Sequence, residues 1–159
     1  MKKLTHTADT GEARMVNVSA KDKSRRFARA TGAITMSRDT LAAIGDNTMA
    51  KGDVLAVARI AGIMAAKRTA ELIPLCHPIV LTDVSVDLEL DPALPGVTVS
   101  ATATTVGKTG VEMEALTAAA TSLLTIYDMA KAMDRSMVIT NISLAEKTGG
   151  RSGNWTRSG

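Results

Sequence analysis

Cysteine occurs once, at Cys76, which rules out an intrachain disulfide framework and every multi-cysteine zinc pattern. So thiol-poor a chain suits a reducing compartment, and the expected location is cytoplasmic. Aromatic residues are nearly absent. Phe27, Tyr127 and Trp155 are the full set, so the stacking platforms of single-strand binders and RNA-recognition modules are missing. The excess of one sign of charge is also small. A net +3 falls far below the basic excess of a dedicated nucleic-acid binder, so any basic site must be local and no nucleic-acid partner is expected. No window of about 18 residues lacks charge, and the opening MKKLTHTADTGEAR has no apolar run behind its lysines. Neither a membrane span nor a targeting segment is expected.

What is present is enough apolar material for one core: 45% of 159 residues, too few for two comfortable domains. The expectation is a single domain over 1–159. A mobile arm is expected over about 1–30, carrying the basic run Lys21, Lys23, Arg25 and Arg26, and a Gly-rich basic tail over about 147–159.

Between these ends the pattern alternates between strand and helix. A β-favouring run covers Thr31 to Met36, and Ser37 and Asp39 are cap candidates for a short helix through Ile44. Asp53 can cap a helix to about Arg68, with Val54, Val57, Ala58, Ala61 and Ala65 recurring at helical spacing. LIPLCHP, with prolines four residues apart, reads as an ordered loop. TDVSVDLEL and the run from Val97 to Thr104 alternate about a DPALPG turn as an antiparallel hairpin. From Val111 to about Asp134 the period is helical, with Met113, Leu116, Ala120, Leu123, Tyr127 and Ala130 as the apolar stripe. MVITNISL is a final strand, followed by a tail whose composition predicts loop and disorder. This order matches the split βαβ arrangement: an α+β, ferredoxin-like fold, with helices packed on one face of an antiparallel sheet. The other sheet face is left uncovered, and an exposed apolar sheet face usually marks an interface; in the hairpin one side packs and the other is wetter.

Candidate chemistry is sparse. GKT at 107–109 is not a phosphate loop, because Thr102 stands where that motif needs glycine. Gly107 and Gly110 still precede a helix start, where free amides attract anions, although from pattern alone a plain strand-to-helix turn explains them better. Cys76 and His77 are adjacent, so their side chains diverge in extended backbone and cannot easily share a metal. Glu114, Asp128 and Lys131 escape the apolar stripe of the long helix. Their bland explanation is a solvated face with an ordinary i,i+3 ion pair. Were Glu114 and Asp128 to serve one site, their separation of about 21 Å along a helix would require two antiparallel helices from neighbouring chains.

Five blocks carry a family resemblance: KGDVLAVARIAGIMAAKRT at 51–69, LIPLCHP at 72–78, GKTGVEMEALTAA at 107–119, YDMAKA at 127–132 and KTGGRSG at 147–153. In order, from about His6 to Gly153, the chain resembles the cyclic pyranopterin monophosphate synthases, the protein C family of molybdenum-cofactor biosynthesis. That resemblance implies a lyase. It would convert (8S)-3',8-cyclo-7,8-dihydroguanosine 5'-triphosphate, a small nucleotide-derived substrate, to cyclic pyranopterin monophosphate with release of pyrophosphate. It also implies a homo-oligomer, a hexamer built as a trimer of dimers with sites between chains. Asp128 matches the family's catalytic aspartate, and Lys51 and Lys131 match lysines implicated in catalysis. Leu75, Cys76, His77, Met113 and Glu114 match substrate-binding positions, with Glu112 as a further candidate. Lys147 and its glycines resemble a mobile phosphate-covering tail, while Arg26, Lys67 and Lys108 are secondary anion candidates. Thr148 and Arg151 depart from the Ser and Lys expected there, and Arg changes the donor geometry. No cofactor is required, with Mg²⁺ able to accompany the triphosphate, and no metal site is expected. The competing expectation is a non-catalytic ferredoxin-like small-molecule-binding domain.

Overall fold

A computed structural model describes residues 11–158. The first strand, β1 (Ser24–Thr35), is twice as long as its β-favouring core suggested: residues 24–30, expected in the arm, are instead the start of a central strand. Its neighbours explain this. β1 pairs along its whole length with β3 (Gly96–Gly107) and along most of it with β4 (Val138–Thr148), so even the basic stretch Arg25–Arg26 finds ladder partners. The first ten residues of the expected arm lie outside the described residues.

Two capped helices follow. Ser37 Oγ accepts from the Thr40 amide at 3.2 Å to start α1 (Arg38–Gly45), and Asp53 Oδ1 accepts from the Ala56 amide at 2.9 Å to start α2 (Val54–Lys67). These side chains replace partners that a first helical turn lacks. A single turn, α3 (Thr69–Leu72), leads into the proline-bounded loop. The hairpin forms as expected, with β2 (Asp83–Asp91) antiparallel to β3, and Asp91 Oδ1 accepts from the amides of Ala93 and Leu94 in its turn. The long helix is α4 (Glu112–Ala130), which ends four residues short of Asp134. Asp134 instead accepts from the Ser37 amide at 2.8 Å, tying the α4–β4 connection to the start of α1.

The sheet order is β2-β3-β1-β4-β5, all neighbours antiparallel. Its first four strands with α2 and α4 on one face make an α+β, ferredoxin-like fold. The fifth strand, β5 (Trp155–Thr156), is a correction: the tail expected to be loop and disorder returns to pair with β4. Composition misled because strand formation here rests on an edge already offered by β4, not on local propensity.

The core lies between sheet and helices, on Ala28, Ala30, Ile34, Val97, Val99, Leu123 and Ile126. On both helices the buried side overlaps the expected stripe only in part. On α4 the buried side is Glu114, Ala115, Ala118, Ala119, Ser122, Leu123, Ile126, Met129 and Ala130, so Leu123 and Ala130 of the expected stripe are buried, while Met113 and Leu124 are exposed. On α2 it is Val54, Ala58, Gly62, Ala65 and Ala66, with Val57, Ile60 and Met64 exposed. Small residues set the buried side because α2 and α4 also pack against each other. A Cβ on Gly62 would stand 2.9 Å from the Ala118 carbonyl oxygen, so only glycine permits that approach. The sheet face away from the helices is polar, as the alternation in the hairpin implied. It presents Thr31, Ser85, Asp87, Glu89, Thr98 and Ser100, the Ser85–Thr102 hydroxyl pair at 2.7 Å and the Arg29–Glu146 ion pair at 3.1 Å.

Candidate active site

The functional candidates fall into two groups at opposite ends of α4. At its C-terminal end, Asp128 points outward between two ammonium groups. Lys131, one turn on, reaches Asp128 Oδ1 at 2.7 Å. Lys51 comes from a sequence-distant turn closed by Gly52, which has φ +93° and leads into the Asp53 cap of α2. Because α2 starts where α4 ends, Lys51 Nζ donates to Asp128 Oδ2 at 2.8 Å and to the Asp128 carbonyl at 3.0 Å, at the negative end of the helix dipole. Hydrogen bonds from Lys131, then Lys51, hold the Asp128 carboxyl down at about 2. All three side chains are about half exposed. The i,i+3 ion pair is there, but the third member makes it more than a solvated face.

At the N-terminal end two adjoining cavities share Lys21, Thr109, Gly110 and Glu112 in their walls. The larger, about 720 Å³, is cationic: Lys21, Arg26, Lys108, Lys147 and Arg151 outnumber Asp22 and Glu112. No side chain caps the start of α4, and the Glu112 carboxylate lies over Gly110, beside Lys147 Nζ at 3.6 Å. A free helix N-terminus ringed by ammonium and guanidinium groups suits an anion bearing several charges. Lys147 also bonds Ser152 Oγ, and Arg26 Nε donates to the Gly107 carbonyl at 3.4 Å.

The smaller cavity, about 350 Å³, is walled by Leu75, Cys76, His77, Met113 and Glu114, with Val16, Val18 and Ile79 completing an apolar side. Glu114, expected off the apolar stripe, is only 3% exposed. It sits in the first turn of α4, where the loop Leu75–His77 and the chain at Val16–Val18 close over the helix. Burial pushes its carboxyl up to about 7, with the Glu112 charge adding to the shift and hydrogen bonding to backbone opposing it. Burial likewise raises the Cys76 thiol, helped by Glu114, so this sulfur stays protonated and a poor nucleophile.

The structure thus gathers Leu75, Cys76, His77, Glu112, Met113, Glu114, Lys147, Arg26 and Lys108 around one cleft. It leaves Lys51, Asp128 and Lys131 about 21 Å away along α4. Lys67 belongs to neither group: it is exposed in the last turn of α2 and lines neither cavity. Lys21 lines both cavities, although sequence reading placed it only in a solvated basic run. The signal available for it was that run itself. Among the described residues no group of three or more His, Cys, Asp and Glu side chains could hold a metal, and no helix is long and apolar enough to cross a membrane.

Fold and clusters together define a ferredoxin-like α+β protein with a cationic cleft opening onto a half-apolar pocket. The sequence model of the MoaC family matches residues 15–150, and the chain belongs to that family. It is similar to the protein named cyclic pyranopterin monophosphate synthase of Brucella ovis, with 58% identity over 156 residues that cover 98% of this chain and 94% of the relative. Proteins of the same name from Brucella melitensis and Brucella abortus match to the same extent.

Proposed function

We propose that this chain is a cyclic pyranopterin monophosphate synthase, a lyase of molybdenum-cofactor biosynthesis. It rearranges a cyclised dihydro-GTP and releases pyrophosphate. The observation that carries this reading is 58% identity to enzymes of that name across 98% of the chain. The site geometry supports it. The cationic cleft at the start of α4 takes the triphosphate, and the adjoining pocket takes the purine-derived ring, with the Glu114 carboxyl facing its guanidine-like edge and Leu75, Cys76, His77 and Met113 around it. Lys147, Arg26 and Lys108 hold phosphate oxygens, and Glu112 yields its place over the helix N-terminus to them.

Ring opening and reclosure need proton transfers, and pyrophosphate departure needs cations. Asp128 is ionised at neutral pH and capped by two ammonium groups, so it is a weak base as it stands. Phosphate oxygens that draw Lys51 or Lys131 away raise its proton affinity, coupling substrate arrival to base activation. The reaction changes no oxidation state and draws on no redox cofactor; Mg²⁺ enters, where it does, with the triphosphate. We place the enzyme in the cytoplasm, where a single thiol stays reduced.

The 21 Å between clusters leads us to infer that each site is shared by two chains in a homo-oligomer, a hexamer by family resemblance, with the pocket of one protomer facing Asp128 of its partner. Pyrophosphate release from the cyclised dihydro-GTP tests the activity, and no release beside an active relative refutes it. Mixing inactive Asp128→Ala and Glu114→Ala proteins tests sharing. Random reassembly restores about a quarter of the wild-type rate if each site draws one residue from each chain. No recovery would place both residues in one protomer's site.

A further inference from the structure

The family match stops at residue 150, yet the chain beyond it is tied to the cationic cavity. Thr148 leads into a loop with three glycines at positive φ: Gly149 at +88°, Gly150 at +79° and Gly153 at +67°. Gly149 packs on the Arg25 carbonyl so closely that a Cβ has no room, and Gly150 lies against the Arg26 guanidinium. The loop carries Arg151 and Ser152 to the cavity wall. A segment so rich in glycine loses much conformational entropy when ordered, so something must hold it. The chain that follows does so. Asn154 Oδ1 accepts from the Gly149 amide at 3.3 Å, and Trp155 stands opposite Lys147 in the β4–β5 ladder. The Arg157 amide and Nε donate to the carbonyls of Ala145 and Leu144 at 2.8 and 2.9 Å. The Arg157 guanidinium also lies 5.9 Å from the centre of the Trp155 ring, within cation–π range.

We propose that Trp155 and Arg157 are positioning residues. The ribbon they pin to β4 holds Lys147, Arg151 and Ser152 in place at the cavity, so that the polyphosphate of the substrate meets a preformed anion site. This rests on the reading of that cavity as the triphosphate end. Preorganisation of this kind is expressed when the polyphosphate binds, before any bond of the substrate changes, so it acts first on affinity. A strand that merely closed the sheet edge would affect melting temperature and leave affinity alone.

The test uses full-length protein, inorganic tripolyphosphate as probe in calorimetry, and steady-state kinetics with the cyclised dihydro-GTP. Trp155→Ala should raise both the tripolyphosphate Kd and the substrate KM about tenfold, and Arg157→Ala about threefold, with kcat within about twofold of wild type. Trp155→Phe should restore both constants. If wild type binds no tripolyphosphate, the cavity is not the phosphate end and the inference falls with that reading. If wild type binds it and both Ala variants bind it equally well, the cavity reading stands and the ribbon proposal is overturned. A fall in kcat with KM unchanged also overturns it. Arg157→Ala keeps the question open to measurement should Trp155→Ala fail to fold.

Discussion

The two ends of α4 carry carboxyl groups that the fold treats in opposite ways. Glu114 is buried in the first turn, and desolvation raises its proton affinity until it titrates at about 7. Asp128 stands in solvent at the last turn, and two ammonium groups hold it at about 2. One side chain can therefore carry a proton near neutrality, whereas the other is an anion there. The helix dipole would favour the reverse, since its positive end stabilises a nearby carboxylate. Burial at one end and salt-bridge partners at the other outweigh it.

The largest effect expected from disturbing this contrast is on turnover. Asp128→Ala should lower the rate of pyrophosphate release by about 10²- to 10⁴-fold, while the melting temperature stays close to wild type because the side chain touches only exposed lysines. A wild-type rate would remove Asp128 from the chemistry. The Asp128 contribution to folding is present above the ordinary carboxylate range and disappears as pH falls through about 2, so this end is insensitive to pH near neutrality.

Glu114 behaves oppositely. Its carboxyl binds a proton more tightly in the folded chain than in the unfolded one, so its contribution is complete below about 4.5 and is lost as pH rises through about 7. Comparing wild type with Glu114→Gln in denaturant titrations from pH 4.5 to 8 should show the wild type losing on the order of 2–3 kcal/mol relative to the variant. Parallel curves would mean that Glu114 is not desolvated.

Between the two ends, Gly62 sets how closely α2 and α4 approach. Gly62→Ala should overpack that contact and cost about 1–3 kcal/mol, read as a lower midpoint in chemical denaturation. The smallest effect is electrostatic. Glu112→Gln removes one negative neighbour and should lower the Glu114 titration midpoint without returning it to the ordinary range, because burial is the larger cause. Carboxyl NMR titration measures this directly, and an unchanged midpoint would leave burial as the whole explanation.

Much of this layout was legible before any coordinates. Caps at Ser37 and Asp53, strict alternation in β2 and β3, and the turn Asp91–Pro95 are local signals, and each element formed where its signal lay. Three features were not legible, for one shared reason. β1 extends back through Arg25 and Arg26 because β3 and β4 supply partners. β5 forms on an edge that exists only once β4 has been placed. Glu114 is buried by a loop nearly forty residues earlier in the chain, although its helical position alone suggests a solvated face.

Sequence by itself determined the class of fold, the element order and the inventory of chemical groups, because helix period, strand alternation and capping residues act over a few neighbours. Tertiary structure alone decided which carboxyl is buried, which lysine from another turn meets Asp128, and where the last residues dock. Desolvation and ion pairing depend on what lies across space, and residues 77 apart in the chain leave no periodic trace of their meeting.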